Sequence, residues 1–198
     1  MTSKNESVDP ADEKQAQRRA ATKTRKIIFE KFSQADEALA AHSDVLLNQF
    51  GRGIYAAYLP IRSELSPLSL VARLSMSSVQ TAMPITPAPG NPLDFRLWTV
   101  GDKLDEGPYD TKQPSANAPA CLPDVILAPM LAFDKACWRL GYGGGFYDRS
   151  IGGLRQAGRK VVAIGIAFSE QQVEQVPTGP YDMVLDAVLT PDGLIMPV

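Results

Sequence analysis

Four glycines lie within five residues in the C-terminal half of the chain, in the segment FDKACWRLGYGGGFYDR (residues 133–149). Glycine lets backbone N–H groups turn toward the inside of a tight bend. A helix predicted to begin directly after the glycines would add the positive end of its dipole to the same bend. Backbone donors and a helix N-terminus together favour an anion such as a phosphate. Arg139, just before the glycines, could add N–H donors for phosphate oxygens.

The glycine spacing matches neither of the two common nucleotide-binding motifs. It is not GxxxxGK[ST], and Phe146 stands where GxGxxG requires its third glycine. Spacing alone therefore fits a phosphate loop and a plain flexible turn equally well. Asp148, in the first turn of the predicted helix, favours the phosphate loop, because a Mg²⁺ ion would reconcile a carboxylate with nearby phosphates. The plainer alternative is that Asp148 is only a first-turn acid favoured by the helix dipole.

The elements that must position this loop form a βαβ unit. Strands are predicted at Asp124–Met130 and Lys160–Ala167, and a helix at Phe146–Ala157 that stops at Gly158. A right-handed crossover and a parallel sheet are the default for this order. Ligands bind such sheets at the carboxyl ends of the strands, where the glycine segment falls. A further strand is predicted at Met183–Leu189.

The rest of the chain is predicted to mix helices, short strands and loops. An amphipathic helix is predicted over residues 11–32, followed by a second helix from Ser33 to Phe50 in which Ser33 and Asp36 resemble a capping box. The remaining elements are a helix at Pro67–Ser77, strands at Ile54–Leu59 and Leu93–Val100, loops at Thr81–Pro92, Gly101–Pro123 and Ala132–Gly145, and a helical turn at Glu170–Gln175.

The composition is that of a globular chain. The 198 residues are 44% hydrophobic and 21% charged, which suits one domain. Residues 1–13 are polar and are predicted to be a disordered leader, so the predicted domain spans residues 14–198. The net charge of −2 argues against binding of nucleic acid by the chain as a whole. Locally, residues 14–31 hold seven basic residues and one acid.

The scarce cysteines and histidine limit the possible chemistry. Cys121 and Cys137 are too far apart for a CxxC pair, and His42 alone cannot build a multi-histidine metal site. All three are expected to be structural or surface residues. Reduced cysteines, a polar N-terminus and no apolar run near the roughly 20 residues of a membrane span predict a cytoplasmic protein without a membrane segment.

The glycine segment resembles the nucleotide loop of the 5-formyltetrahydrofolate cyclo-ligases, also called methenyltetrahydrofolate synthetases. The resemblance rests on RLGYGGGFYDR (Arg139–Arg149), preceded by PMLAFDK (Pro129–Lys135). The stretch EQQVEQVPTGPYDMVLDAVLTPDG (Glu170–Gly193) is similar to the C-terminal part of the family, and YLPIRSEL (Tyr58–Leu65) to a segment that ends in Glu. With the basic helix around residues 14–25, the resemblance covers nearly everything after residue 13.

The resemblance implies a three-layer α/β domain with a mainly parallel central sheet flanked by helices, plus N-terminal helices. It implies conversion of 5-formyltetrahydrofolate to 5,10-methenyltetrahydrofolate with ATP and Mg²⁺, releasing ADP and phosphate. Separately, the protein is expected to be a monomer. Arg139 and Asp148 would act on the phosphates in catalysis. The loop that holds ATP in the family maps here to Arg139, Leu140, Gly141, Tyr142, Gly143, Gly144, Gly145, Phe146 and Tyr147.

The remaining site residues are also implied by the resemblance. The two Mg²⁺ ligands map to Asp148 and Asp182. Basic residues that grip the ATP phosphates map to Lys14 and to either Arg18 or Arg19, and folate contacts map to Leu59 and Glu64. Apart from the resemblance, Tyr147, Phe146 and Trp98 are candidate stacking surfaces for the substrate. The plainer alternative for Trp98 is packing in the core or in a loop.

Two positions depart from the family pattern. Tyr181 stands where family members often have His, just before the second aspartate. In GPYDTKQP (Gly107–Pro114), Gln113 stands where many members have Glu, which bears on the folate side of the site and leaves the ATP side unchanged.

The family reaction requires no protein nucleophile, since phosphorylating the formyl oxygen turns it into a leaving group and the protein positions and neutralises the phosphates. Two other functions are kept open. One is a non-catalytic module that binds folate, nucleotide or, through the basic helix, RNA. The other is a Rossmann-like dehydrogenase or sugar isomerase, which the missing GxGxxG weighs against.

Overall fold

A mixed sheet of seven strands forms the centre of the molecule. The computed structural model describes residues 10–108 and 111–198. The sheet has the order β11-β10-β9-β6-β1-β2-β3, and two separate hairpins, β4–β5 and β7–β8, lie outside it. The strands are β1 Tyr55–Ala56, β2 Thr81–Ile85, β3 Asp94–Leu97, β4 Leu104–Glu106, β5 Lys112–Pro114, β6 Val125–Pro129, β7 Ala132–Phe133, β8 Arg139–Leu140, β9 Val162–Ile166, β10 Ala187–Thr190 and β11 Gly193–Ile195.

The five inner strands of the sheet are parallel. β1 pairs in parallel with β2 and β6, and β9 pairs in parallel with β6 and β10. Only the edge strands β3 and β11 run antiparallel to their neighbours. The apolar run of β6 (VILAP) is buried along almost its whole length, as expected for a parallel strand covered on both faces. The prediction of a mainly parallel sheet is confirmed.

Helices cover both faces of this sheet. The helices are α1 Pro10–Lys31, α2 Ala35–Ala40, α3 Ser43–Phe50, α4 Leu68–Met76 and α5 Phe146–Gln156, with a 3₁₀ turn at Ser169–Gln171. Leu127 of β6 points into a core shared with Leu39 of α2 and Leu70 of α4. Its neighbour Ile126 points the other way, into a core shared with Ile151 of α5. Because side chains alternate along a strand, the two cores define three layers, as predicted.

The N-terminal helices differ from the prediction in two respects. The single helix predicted from Ser33 to Phe50 is interrupted at His42, whose ring nitrogen Nε2 lies 3.0 Å from the Pro191 carbonyl oxygen. The predicted capping box is wrong, because α2 begins after Gln34 without a side-chain cap, and the Asp36 carboxylate instead accepts a hydrogen bond from Ser69 at 3.3 Å.

The predicted disordered leader comprises residues 1–13, of which residues 1–9 lie outside the described residues. Residues 10–13 belong to α1 Pro10–Lys31. No helix within the described part of the chain is long and apolar enough to span a bilayer.

Several predicted loops contain strands. The segment predicted as a loop from Thr81 begins with β2. The hydrogen-bond ladder between β1 and β2 ends where the Ala57 N–H donates to the Ala82 carbonyl oxygen at 2.9 Å. Pro84 lies beyond this point and has no N–H with which to continue the ladder. The loops predicted at 101–123 and 132–145 carry the hairpins β4–β5 and β7–β8, and β11 was not predicted. The last predicted parallel strand begins four residues later than expected, at Ala187.

Candidate active site

The glycine loop joins β8 to the N-terminus of α5 and lies beyond the carboxyl end of β6. Gly143 and Gly145 adopt φ values of 100° and 66°, a region that favours glycine. A Cβ at Gly145 would lie 2.6 Å from the Arg149 guanidinium. The loop borders a cavity of about 200 Å³. Its lining comprises Lys14, Arg18, Pro129, Arg139, Leu140, Gly141, Tyr142, Gly143, Gly144, Gly145, Phe146, Tyr147, Asp148 and Asp182.

Helix α1 supplies cations to this cavity. The Nε–H of Arg18 donates a 3.0 Å hydrogen bond to the Gly141 carbonyl oxygen. A Cβ at Gly143 would lie 3.3 Å from the guanidinium carbon of Arg18, so the loop backbone and the arginine are in close contact. Arg19 is exposed and does not line the cavity. Of the two arginines that the sequence left as alternatives, the structure brings Arg18 to the glycine loop.

Asp148 is held by two donors on the floor of the cavity. Its Oδ1 accepts hydrogen bonds from the Arg139 guanidinium at 2.8 Å and from the Met183 N–H at 2.9 Å. Arg139 also donates to the Met183 carbonyl oxygen at 3.0 Å, and its side chain is only 4% exposed. Arg139 therefore fixes the carboxylate of Asp148 and ties α5 to the segment before β10.

Asp182 approaches the same cavity from the loop before β10. Its Oδ2 accepts a hydrogen bond from the Gly179 N–H at 2.6 Å and forms an ion pair with Lys14 of α1. Within the described residues no group of three or more His, Cys, Asp or Glu side chains gathers at one point. Two carboxylates facing a phosphate-sized cavity suit Mg²⁺, which binds proteins through one or two carboxylates and fills its other positions with water and substrate phosphates.

A second cavity of about 160 Å³ adjoins the first. The two cavities share Pro129, Tyr142, Phe146 and Tyr147 as a common wall. The other residues of the second cavity are Tyr58, Leu59, Ile61, Glu64, Met83, Pro84, Thr86, Leu93, Thr111 and Lys112. Leu59, Glu64 and Tyr147, three of the four residues predicted to contact the substrate, thus line the same cavity.

Glu64 is a buried carboxylate in the wall of the second cavity. Its Oε2 accepts a hydrogen bond from the Ile61 N–H at 2.9 Å, and its Oε1 lies 3.9 Å from the Arg25 guanidinium. Burial raises the pKa of Glu64, and the Ile61 hydrogen bond, Arg25 and the Tyr142 hydroxyl only partly oppose this shift. Burial and the Glu64 charge also raise the pKa of Tyr147, so its phenol is neutral.

Trp98 does not take part in either cavity, contrary to the prediction that it contacts the substrate. It is 5% exposed and packs in the core on the α1–α4 face of the sheet. Its indole N–H donates to the Asp102 carbonyl oxygen at 3.3 Å. Trp98, directly after the edge strand β3, therefore packs in the core and does not contact a ligand cavity.

Arg25 is a buried residue behind the wall of the two cavities that the sequence reasoning missed. Its guanidinium donates to the Met130 carbonyl oxygen at 3.0 Å, at the end of β6, and its charge lies beside Glu64. A signal was present: Lys14, Arg18 and Arg25 are spaced four and seven residues apart, which places them on one face of a helix.

These features define a class of protein: a mainly parallel α/β fold, covered on both faces, with a glycine loop, basic side chains and two carboxylates at the carboxyl edge of the sheet. The sequence model of the 5-formyltetrahydrofolate cyclo-ligase family matches residues 10–191. The chain therefore belongs to this family of ligases.

Individual relatives agree with the family match. The 5-formyltetrahydrofolate cyclo-ligase of Haemophilus influenzae is 29% identical over 161 residues, which cover 79% of this chain and 85% of the relative. That of Escherichia coli K12 is 30% identical over 141 residues, covering 69% and 76%. The solved structure of 5,10-methenyltetrahydrofolate synthetase from Aquifex aeolicus superimposes with a TM-score of 0.74 at 22% identity, covering 92% of each chain, and so supports the fold. The dehydrogenase and sugar-isomerase alternative is set aside.

Proposed function

We propose that this enzyme converts 5-formyltetrahydrofolate to 5,10-methenyltetrahydrofolate, using ATP and Mg²⁺ and releasing ADP and phosphate. The observation that carries the proposal is the shared wall of the two cavities. One cavity offers backbone donors, cations and two carboxylates, which suits a nucleotide. The other is more apolar and contains one buried carboxylate, which suits a ring with N–H donors. Adjacent binding of both substrates brings the γ-phosphate to the formyl group.

The chemistry requires positioning and charge neutralisation. The formyl oxygen attacks the γ-phosphorus and ADP leaves, which gives a phosphate ester on an iminium-like carbon. The second folate amine attacks this carbon and loses its proton, and phosphate departs with the C–O bonding electrons. Holding the two substrates in line accounts for a large part of such a rate enhancement, and fixed donors around the phosphates supply much of the rest.

The residues around the first cavity divide this work. Backbone N–H groups of the glycine loop and the Arg18 guanidinium bind the phosphates, and Lys14 adds a second cation from α1. Asp148 and Asp182 would hold Mg²⁺, whose charge would stabilise the transferring phosphoryl group. Arg139 keeps the Asp148 carboxylate oriented and, as a residue of the cavity wall, would donate to the phosphates.

The residues around the second cavity orient the folate. Glu64 accepts hydrogen bonds from the N–H groups of the pterin ring, and the burial that raises its pKa also strengthens these bonds. Leu59 packs against the ring, and the Phe146 and Tyr147 side chains form a wall between the pterin and the phosphates.

The wider organisation is proposed on the same basis. Residues 14–198 act as one domain and as a monomer. The protein works in the cytoplasm, where thiols such as Cys121 and Cys137, both unpaired in the structure, stay reduced.

The test is an absorbance assay. Purified protein is mixed with 5-formyltetrahydrofolate, ATP and Mg²⁺, and the near-ultraviolet absorbance of the conjugated methenyl product is followed. The proposal expects a rise that requires both ATP and Mg²⁺. Folded protein that produces no rise, yet binds folate or nucleotide in titrations, would overturn the proposal and make the chain a binding module. Inhibition by RNA would point to recruitment of the basic helix.

A further inference from the structure

A single arginine bridges the two cavities from behind their shared wall. Arg25 lies on α1 and its side chain is only 1% exposed. Its Nη1 donates to the Met130 carbonyl oxygen at 3.0 Å, its Nη2 donates to the Tyr142 hydroxyl, and its Nε lies 3.3 Å from the Ser63 hydroxyl. Arg25 therefore contacts three segments that are far apart in sequence.

Each of these segments carries part of the proposed site. Tyr142 belongs to the glycine loop and lines both cavities. Ser63 precedes Glu64, and the Glu64 carboxylate lies 3.9 Å from the Arg25 guanidinium. Met130 directly follows β6, the strand next to β1 in the centre of the sheet. The Arg25 guanidinium thus contacts Tyr142 of the glycine loop on one side and the buried Glu64 carboxylate on the other.

The contacts with Tyr142 are suited to transmit a change of position. The guanidinium carbon of Arg25 lies 5.3 Å from the centre of the Tyr142 ring, in a cation–π arrangement, while Nη2 donates to the hydroxyl of the same residue. Tyr142 is 39% exposed and lines both cavities, so a ligand in either cavity can contact it. A displacement of Tyr142 would remove one of the partners that hold the Arg25 guanidinium next to the Glu64 carboxylate.

A buried ion pair is weak evidence of a contribution to stability, since desolvation offsets most of its attraction. The partners of Arg25 suggest another role. It holds a residue of the glycine loop and the carboxylate of the second cavity in fixed relation, without lining either cavity itself.

We propose that Arg25 is a positioning residue that couples nucleotide binding to folate binding through Tyr142 and Glu64. The inference rests on the proposed function. When the nucleotide orders the glycine loop, Tyr142 and Arg25 fix Glu64 in the orientation that the folate ring requires. By thermodynamic linkage, folate must then tighten nucleotide binding by the same factor.

The test measures this factor without turnover. The Kd of 5-formyltetrahydrofolate is determined by calorimetry with and without a non-hydrolysable ATP analogue plus Mg²⁺, and the Kd of the analogue with and without folate. The wild type is expected to show reciprocal tightening within the range of about 5- to 150-fold typical of coupled sites. Arg25→Lys keeps a charge but loses the planar fork, and it is expected to reduce the factor to about 1.

Two further variants separate coupling from damage to the fold. Arg96→Lys changes an arginine of β3 that lines neither cavity, and it should keep the wild-type factor. Tyr142→Phe keeps the ring and removes the hydroxyl acceptor, so it should lower the factor even if Arg25→Lys fails to fold. Full coupling in both Arg25→Lys and Tyr142→Phe would overturn the inference, as would a wild type whose ligands bind independently. A wild type that binds neither ligand would instead refute the proposed function together with the inference.

Discussion

Replacing Asp148 with Asn tests the role of the first cavity most directly. Asn keeps an oxygen that can accept the hydrogen bonds from Arg139 and from the Met183 N–H, which are 2.8 and 2.9 Å long. The substitution removes the negative charge, however, and Arg139 stays 4% exposed without that counter-charge. The fold should survive because the hydrogen-bond pattern is retained, whereas any function that needs a carboxylate should be lost.

The size of the stability effect follows from the kind of contact that is weakened. A hydrogen bond to a charged group contributes about 1.5 to 3 kcal/mol, and Asp148 is 24% exposed, so solvent screens it only in part. For a chain of 198 residues, 1 kcal/mol lowers Tm by about 2 to 4 °C. Because Asn keeps the hydrogen bonds and removes only the charge, each bond drops to the neutral range of about 0.5 to 1.5 kcal/mol, a loss of about 1 to 1.5 kcal/mol. Asp148→Asn should therefore lower Tm by about 2 to 6 °C and leave a folded protein, since domains have about 5 to 15 kcal/mol of stability.

The structure offers a matched control in Asp186. Its Oδ2 accepts hydrogen bonds from the Arg155 guanidinium and the Ala163 N–H, both at 2.7 Å, so its surroundings repeat those of Asp148 outside the cavity. Asp186 is 44% exposed, and solvent screening should make its loss less costly. We expect Asp186→Asn to lower Tm by less and to keep full turnover.

The assay is ATP-dependent methenyl formation at saturating Mg²⁺. Asp148→Asn should lose at least about 100-fold in turnover, the scale seen when one group that stabilises a transition state is removed. Unchanged turnover would refute the metal-binding role of Asp148. An equal loss of turnover in Asp186→Asn would show that both substitutions act through the fold, and it would also refute a specific role of Asp148 in the cavity.

Three further predictions concern other parts of the molecule. Arg18→Ala should raise the KM for ATP by about 10-fold or more through loss of a charge-assisted hydrogen bond, whereas Arg19→Ala should leave steady-state kinetics unchanged; equal effects would contradict the assignment. Burial raises the pKa of Glu64 above 4.5 in the folded protein. The folded state is therefore destabilised as pH rises through the raised pKa and the buried carboxyl group must ionise. Glu64→Gln should therefore raise Tm at about pH 8 and not at about pH 4, and a gain independent of pH would count against this explanation. A Cβ at Gly165 would overlap the Met130 methyl, so Gly165→Ala should lower the free energy of unfolding by about 1 to 3 kcal/mol in denaturant titrations, while Gly153→Ala, with open space around it, should not destabilise.

The parallel core could be predicted because its signals are local. The apolar runs of β6 and β9, with a helix between them, specify a right-handed parallel unit by general rules of chain connection. The hairpins and the edge strand β11 carry no comparable signal. They are only two to three residues long, and their pairing depends on neighbours that the folded sheet brings close. The prolines in Thr81–Pro92 suggested a loop. Pro84 is nevertheless tolerated in β2, because the hydrogen-bond ladder between β2 and β1 has ended before it.

The candidate site was predictable to the extent that its residues are neighbours in sequence. The glycine loop and Asp148 form one segment, and the structure places all of it around one cavity. Trp98 was misassigned because residue type alone does not distinguish a ligand platform from core packing, and 5% exposure decides for the core. Arg25 was missed since an arginine in a basic helix is by default a solvated residue, and only the packed structure shows that it is buried.

Helix α1 explains why the cationic half of the site cannot be inferred from the glycine loop. From Glu13 to Lys31 few of its apolar residues are buried: Ile28 reaches the main core, and the partly buried Ala21 packs against a small satellite cluster. The helix is held instead by Lys14 on Asp182, Arg18 on Gly141 and Arg25 on Met130. The same polar contacts that dock α1 therefore place its cations beside the loop. Since these contacts join residues more than 100 positions apart in the chain, the proposed anion site is complete only when the tertiary fold has formed.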